Sequence, residues 1–502
     1  HDALPISFSK ELFMMKHVEY NRTRRNMRTA PVLALSLILA ACATHAPYET
    51  PRVDLPPNLP MASAEEAEER SEPWWQTFDD PNLTTVVDQA LSENLQIEAA
   101  AARLQQASGA ANLAGAQRLP EIGVDASAAE VRQSIADPII GNFADLPGFN
   151  RNQSIYGMNL AASWELDLFG RLAAGERAAV ADAASAQAQL IGTRLTIAAE
   201  TALSYIALAE TQALRANAVR RIETLEELAR VVRLRYERGI APRLELDQVE
   251  ADLSSARSTL PVLEAAERSA QVRLLILTGG TPNLDALPFE TALIPDAPTI
   301  EVSQTPAQLL LARPDLVAAE RQVAAADARV AQAVANYYPR FSLSGLLGLL
   351  SGDIGDLLTG DAFRAEGAIG AAVPLFDFGR RDAQLAISEA GTVEAIAQYR
   401  LAIAQALGEV DTSLTSADRE RAQAKELATT VTTLDRARET SRLAYQAGAV
   451  SLIEALDAER RLLEAEGCLI SARAQLSRST VVAYRSLGVR SVDAGIVQET
   501  QS

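Results

Sequence analysis

The side chains that most often do covalent or acid–base chemistry are nearly missing from this sequence. Its three histidines, His1, His17 and His45, all precede residue 46. The body therefore offers no imidazole as general base or metal ligand. No P-loop, GxSxG or HExxH pattern occurs. Of the two cysteines, Cys42 and Cys468, the second sits in a helical stretch and reads as a buried small residue, so no disulfide framework is expected. Carboxylates are plentiful, yet none is marked as half of a catalytic pair. One of them, in Ser451-x-x-Glu454, has the spacing of a helix capping box. No enzyme and no cofactor are expected. The remaining chemistry is that of a thiol, Cys42, placed directly after an apolar run.

That run is Pro31 to Ala41, preceded by Arg22, Arg24, Arg25 and Arg28. Eleven apolar residues are too few to span a bilayer and have the layout of a secretory signal. The start is read as Met14, Met15 or Met27. Leu39-Ala40-Ala41-Cys42 resembles the lipobox of bacterial lipoproteins, in which the cysteine takes a diacylglyceryl group and becomes the acylated N-terminus. Cys42 is thus the expected lipidation site, against the plainer reading of a signal peptide with a chance cysteine. Ala43 in place of Asp implies, by the same resemblance, the outer membrane. Residues 43–72 are rich in Pro, Ala and Glu and read as an extended tether.

The elements beyond the tether come in two copies. Leu166-Asp167-Leu168-Phe169-Gly170-Arg171 returns as Leu375-Phe376-Asp377-Phe378-Gly379-Arg380, a spacing of 209 residues. The same spacing carries Tyr236 to Tyr445, Gly239 to Gly448, Glu245 to Glu454 and Gly279 to Gly488. Upstream, Pro120 matches Pro339 at a spacing of 219. An offset held over so long a stretch marks an internal duplication. The chain has a net charge of −19 and is 5% aromatic. So acidic a body argues against nucleic acid as a partner, and so alanine-rich a composition suits long helices packed side by side.

Each copy reads as helix, strand pair, very long helix, tight turn, helix. The first helix spans about 80–119 and ends at Pro120. Ile122, Val124, Ala126 and Ala128 alternate, as do Tyr156, Met158, Leu160, Ala162, Trp164, Leu166 and Leu168 after a loop over 134–153. The second copy repeats this with Phe341 to Leu349, a loop near 351–361 and Phe363 to Leu375. Strands of about ten residues can span a membrane in a closed barrel. Four of them leave two edges unpaired, so a barrel requires several chains; a small soluble sheet capping a helical domain is the alternative. From Arg171 to about Arg238 no proline occurs, which predicts a helix of roughly 100 Å. Ile222, Leu225, Ala229, Val232 and Tyr236 form its seam, and Gly239 stops it. The return helix is half as long and should kink at Pro261. Stacked on the first helix it would match the long one.

The lipobox, the duplicated unit, Leu-Asp-Leu-Phe-Gly-Arg, Ala312-Arg313-Pro314-Asp315-Leu316, Pro374-Leu375-Phe376-Asp377-Phe378-Gly379 and Tyr445-x-x-Gly448 together resemble the outer-membrane efflux factors. These are the TolC-like channels, here nearest the lipoprotein branch of OprM and NodT. The resemblance implies a mainly α fold with a membrane β-barrel: a homotrimer with a 12-stranded barrel continuous with a 12-helix periplasmic tunnel. It implies a passive exit duct for drugs or other small molecules, working with a periplasmic adaptor (membrane fusion protein) and an inner-membrane pump of the resistance-nodulation-division type. A type I protein-secretion channel is the runner-up, and a lipid-anchored coiled-coil scaffold without a pore is a third reading. The expected division is signal segment 1–41, lipidated tether 42–72, first repeat 73–279, equatorial linker 280–312, second repeat 313–488 and tail 489–502. By the resemblance, Asp457, Glu454, Glu245 and Tyr445 belong to the periplasmic gate, and the turns at Gly239 and Gly448 meet the adaptor. The first copy holds only half of the acidic pair, since Gln248 stands opposite Asp457. Val450 occupies the place of an expected basic latch residue.

Overall fold

The computed structural model describes residues 48–51, 73–138, 140–143, 145–280, 292–300 and 313–488. Cys42, most of the tether and linker, and the tail lie outside the described residues. Among the described residues the chain runs α1 (Pro81–Glu93), α2 (Leu95–Ala116), β1 (Glu121–Arg132), β2 (Asn152–Leu166), α3 (Arg171–Glu237), α4 (Arg243–Leu277), α5 (Pro314–Ala335), β3 (Arg340–Ser351), β4 (Phe363–Ala372), α6 (Arg380–Gln446) and α7 (Leu452–Leu487). The two long helices have 67 residues each, about 100 Å at 1.5 Å per residue. Their start and end points differ by the repeat spacing.

The repeated Leu-Asp-Leu-Phe-Gly-Arg stretch starts these helices. The residue at each N-cap is glycine in the left-handed region, Gly170 at φ 72° and Gly379 at φ 83°, and has no side chain to cap with. The nearby aspartate does so instead. Asp167 accepts from the N–H groups of Leu172 (3.0 Å) and Ala173 (2.7 Å), and Asp377 accepts from Arg381 N–H (3.2 Å). Each puts a negative charge on the positive end of a helix dipole.

The expected single helix over 80–119 is two. Asn94 ends α1 and caps α2, its Oδ1 accepting from Gln96 N–H (2.8 Å), while its Nδ2 donates to the Leu277 carbonyl at the end of α4 (2.8 Å). This side chain stacks α2 end to end on α4, and both run along α3. The second copy makes the same junction with another residue. Arg313 precedes α5 and donates to the Ser486 carbonyl at the end of α7 (2.9 Å). Arg313 lies 219 residues after Asn94, and Ser486 lies 209 after Leu277. Gly279 and Gly488, at φ 75° and 62°, turn the chain away beside each junction, and a Cβ there would meet Glu93 O at 2.3 Å or the Arg313 backbone at 3.1 Å.

The helices thus lie four abreast: α2–α3–α5–α6 on the strand side of the junctions, and α4–α3–α7–α6 beyond them. Trp74, Trp75, Phe78 and Tyr484 are buried together at the junctions with Leu83 and Ile206, and Trp74 stacks on Tyr484 at 5.8 Å. The N-terminal segment also docks at Tyr48 and Thr50, whose hydroxyls donate to buried Glu320 on α5 (2.9 and 3.3 Å).

Three further expectations change. α4 runs on through Pro261, which sits on the exposed side of the helix. β2 and β4 stop before Leu168 and Val373, because the capping turns claim those residues. Cys468 is exposed, opening into a hollow between the two hairpins that Asn217, Arg221 and Leu463 also line.

Candidate functional site

The turns far from the strands share one geometry. Gly239 (φ 70°) donates to the Tyr236 carbonyl at 2.8 Å, and Ile240 donates to Arg235 at 2.8 Å. In the second copy Gly448 (φ 72°) donates to Tyr445 at 2.9 Å, and Ala449 to Ala444 at 2.8 Å. Both are helix ends closed by a left-handed residue. Nothing lies within 4 Å of a Cβ at either glycine, so backbone conformation alone sets the residue type.

The helices that leave these turns begin differently. Pro242 caps α4 without a side-chain bond. Ser451 caps α7 in a full capping box: Glu454 N–H donates to Ser451 Oγ (3.3 Å), and Ser451 N–H donates to Glu454 Oε2 (2.7 Å). The Ser451 backbone N–H, then its hydroxyl, hold the Glu454 carboxyl below the usual glutamate range. Asp457, one turn deeper, accepts from Arg460 Nη2 (2.9 Å) and ion-pairs with Arg461 Nε (2.9 Å). Those arginines escaped the sequence reading, although their spacing of three and four residues from Asp457 was the signal. Ile453 and Leu456 pack on Ile222, Leu225, Val232 and Leu246 of the first hairpin, which fixes the rotation of α7. Both second-copy carboxylates are therefore partnered within the chain. Glu245 lies in the first turn of α4, and Tyr445 is exposed. In the first copy the Arg243 guanidinium lies 5.8 Å over the Tyr236 ring and pairs with Asp247 at 2.8 Å; Leu452 replaces Arg243 in the second.

At the other end, four antiparallel strands form one sheet in the order β1-β2-β3-β4. Within the chain β1 and β4 each have one unpaired edge. The register sorts the side chains. One face carries Ile122, Val124, Met158, Leu160, Leu343, Leu347 and Ile369, and most of these are exposed. Trp164 and Phe341 stand near its helix-side end, and Tyr156 and Phe363 near its loop-side end. The other face carries Asp125, Ser127, Asn159, Ser163, Ser344, Gly348, Arg364 and Glu366, with Val131, Ile155, Leu346 and Leu350 as its larger apolar residues. An apolar band between aromatic ends on one face, with a polar opposite face, is the pattern of a barrel wall in a bilayer. Among the described residues no helix is long and apolar enough to cross a membrane.

The family model for outer membrane efflux proteins matches residues 86–280 and 305–489, one match to each copy. The pyoverdine export outer membrane protein OpmQ of Pseudomonas putida is 30% identical over 477 residues, covering 91% of this chain and 96% of that protein. The outer membrane protein OprJ of Pseudomonas aeruginosa is 27% identical over 463 residues, covering 91% and 94%. The solved outer-membrane channel OprN superposes with a TM-score of 0.76 at 27% identity, over 89% of this chain and 99% of that one. With both repeats matched and the four-abreast helices and strand sheet in place, this chain belongs to the outer membrane efflux protein family.

Proposed function

We propose that three copies of this chain close a 12-stranded barrel in the outer membrane, continued by a 12-helix periplasmic tunnel. The chain is an outer-membrane efflux channel. The observation that carries the trimer is the sheet, with its exposed apolar face and two open edges. Open edges are not tolerated in lipid, so β4 of one copy pairs with β1 of the next. The helices support the same reading. On the strand side of the junctions α3 is flanked by α2 and α5, whereas α6 has only α5 beside it among the described residues. Ala174, Ala178, Ser185 and Ala188 on α3 are buried, while their α6 counterparts Ala383, Ile387, Glu394 and Ala397 are exposed. The repeat symmetry puts α2 of the next copy against them. Planar-bilayer recording tests the pore directly: stepwise currents are expected, and a trimer that binds vesicles without conducting supports the scaffold instead.

The relatives are named for export of pyoverdine, cations and solvent. Such variety in similar ducts fits a passive conduit, with cargo chosen by an inner-membrane pump and delivered through a periplasmic adaptor that grips the tips at Gly239 and Gly448. Cys42 carries the lipid in this reading. Mass spectrometry of the mature N-terminus is expected to show an acylated cysteine, and an unmodified chain beginning elsewhere contradicts it. Cys42→Ser should mislocalise part of the protein without preventing assembly, because the barrel is itself an anchor.

At the tip, Asp457, with Glu454, Glu245 and Tyr445 beside it, surrounds the entrance under three-fold symmetry. Rings of carboxylates favour cations. Asp457→Ala removes a carboxylate, frees Arg461 and leaves Arg460 with Glu464 (3.5 Å), so cation preference should fall by about twofold or more, read as reversal potential in a salt gradient. Glu454→Ala should act less cleanly because it also removes the cap. The depressed Glu454 pKa stabilises the folded tip above the unfolded carboxylate range, and this is lost only as pH falls through the folded value. A fall in conductance is also expected when calcium is added and binds the carboxylate ring. Unchanged selectivity and calcium response in a folded Asp457→Ala trimer removes Asp457 from the gate.

A further inference from the structure

A single row of residues crosses the polar face of the whole sheet. Asp125 on β1 stands opposite Asn159 on β2, Asn159 opposite Gly348 on β3, and Gly348 opposite Arg364 on β4. Asn159 is 7% exposed. Its Nδ2 donates to Asp125 Oδ2 (2.8 Å), and its Oδ1 accepts from Arg364 Nη2 (2.8 Å) and Nε (3.3 Å). The Arg364 side chain reaches across β3 because Gly348 leaves the space; a Cβ there would stand 2.3 Å from Asn159 Oδ1.

This arrangement holds a guanidinium without neutralising it. The group bonded to it is a neutral amide, and the Asp125 carboxylate sits on the far side of that amide. Glu366 approaches Arg364 only to 3.8 Å, on a side chain that is 68% exposed, a pairing of small worth in water. Of the five guanidinium donors, two are used on Asn159, and three remain for a solute. Among the described residues, Arg364 is the only cation on the polar face of the strands above the strand-base Arg340. It stands one residue from the loop-side end of β4.

We propose that Arg364, positioned by Asn159 over Gly348, is a selectivity element near the outer mouth of the duct. Three copies present three guanidiniums to the lumen, where they oppose cations entering from outside and hold carboxylate-bearing solutes briefly before release. The proposal rests on the reading that three copies close a barrel with this face inward. A planar arginine fork suits carboxylates, and rings of arginine favour anions in pores.

The test records purified trimers in planar bilayers, with citrate as the probe carboxylate added on the loop side only, so that the distant tip is not the point of contact. Wild type is expected to show citrate-dependent reduction of current. Arg364→Gln should weaken that block by about threefold or more and shift the reversal potential towards cations. Arg364→Lys, which keeps the charge and loses the fork, should retain the reversal potential but weaken citrate block. Asn159→Leu, which leaves Arg364 charged but unheld, should do the same. Arg364→Gln trimers with wild-type citrate block and reversal potential overturn the proposal. A wild-type chain that forms no trimer or never inserts overturns the barrel reading instead, and the two failures are told apart by the assembly state.

Discussion

Replacing Ile387 with aspartate should leave the chain helical and abolish the trimer. Ile387 is 65% exposed on α6, whereas its first-copy counterpart Ala178 is 5% exposed on α3, which has a neighbour on each side. In the proposed trimer α2 of the next copy would cover Ile387. Burying an isoleucine contributes about 2 kcal/mol, and an unpaired buried carboxylate costs several more. The loss is incurred at each of three interfaces. Circular dichroism should show unchanged helix content, and native mass spectrometry should show monomer only. A trimer of normal stability would mean that this face of α6 is not an interface.

Arg313→Ala should cost more stability than loss of the matching junction residue in the first copy. Arg313 is 7% exposed. Burial alone opposes its charge, yet its pKa is raised, because Asp315 and then Glu409 bond it. It pairs with Asp315 (2.7 Å) and Glu409 (2.9 Å) and donates to the Ser486 carbonyl (2.9 Å). Truncation unties α5 from α7 and leaves a buried carbonyl and two carboxylates without a partner. Because both carboxylates are about half exposed, the cost is placed near the low end for broken ion pairs, about 3 kcal/mol. Arg313→Lys should recover only part of it, since an ammonium cannot make three divergent bonds in a plane. Asn94→Ala, at the matching junction, should cost about 2 kcal/mol, as it loses a cap and one buried bond but strands no charge. Proteolytic susceptibility of the folded chain against temperature ranks the three. Equal loss at Asn94 and Arg313 would contradict the reading that charge separates the two junctions.

Much of the architecture could be read from the sequence because a duplicated sequence reports its own symmetry. Gly239 and Gly448, Gly279 and Gly488, and the two Gly-Arg starts all fell at one spacing, and each marks a backbone conformation that only glycine or a cap supplies. The strands were legible from alternation, although a single chain could not say which face meets lipid. The helix start at Asn94 was legible from composition, and asparagine is a favoured N-cap, but apolar spacing continues upstream of it, so the reading ran 80–119 together as one helix. Exposure of Cys468 depended on how two hairpins sit together, which local pattern does not encode. The partners of Asp457 could be read from sequence, since Arg460 and Arg461 stand at helical spacing from it. The row through Asp125, Asn159 and Arg364 needs the register of four strands drawn from both repeats, and no local motif carries it.

Electron cryo-microscopy of the purified protein in lipid nanodiscs would show whether the sheet is one third of a closed barrel. Three copies are expected about a three-fold axis, β4 of each paired with β1 of the next, Ile122, Leu160 and Ile369 facing lipid, and Asp125, Asn159 and Arg364 facing a continuous lumen. A monomer or two-fold dimer with β1 and β4 left open, or a barrel with Arg364 facing lipid, would contradict it.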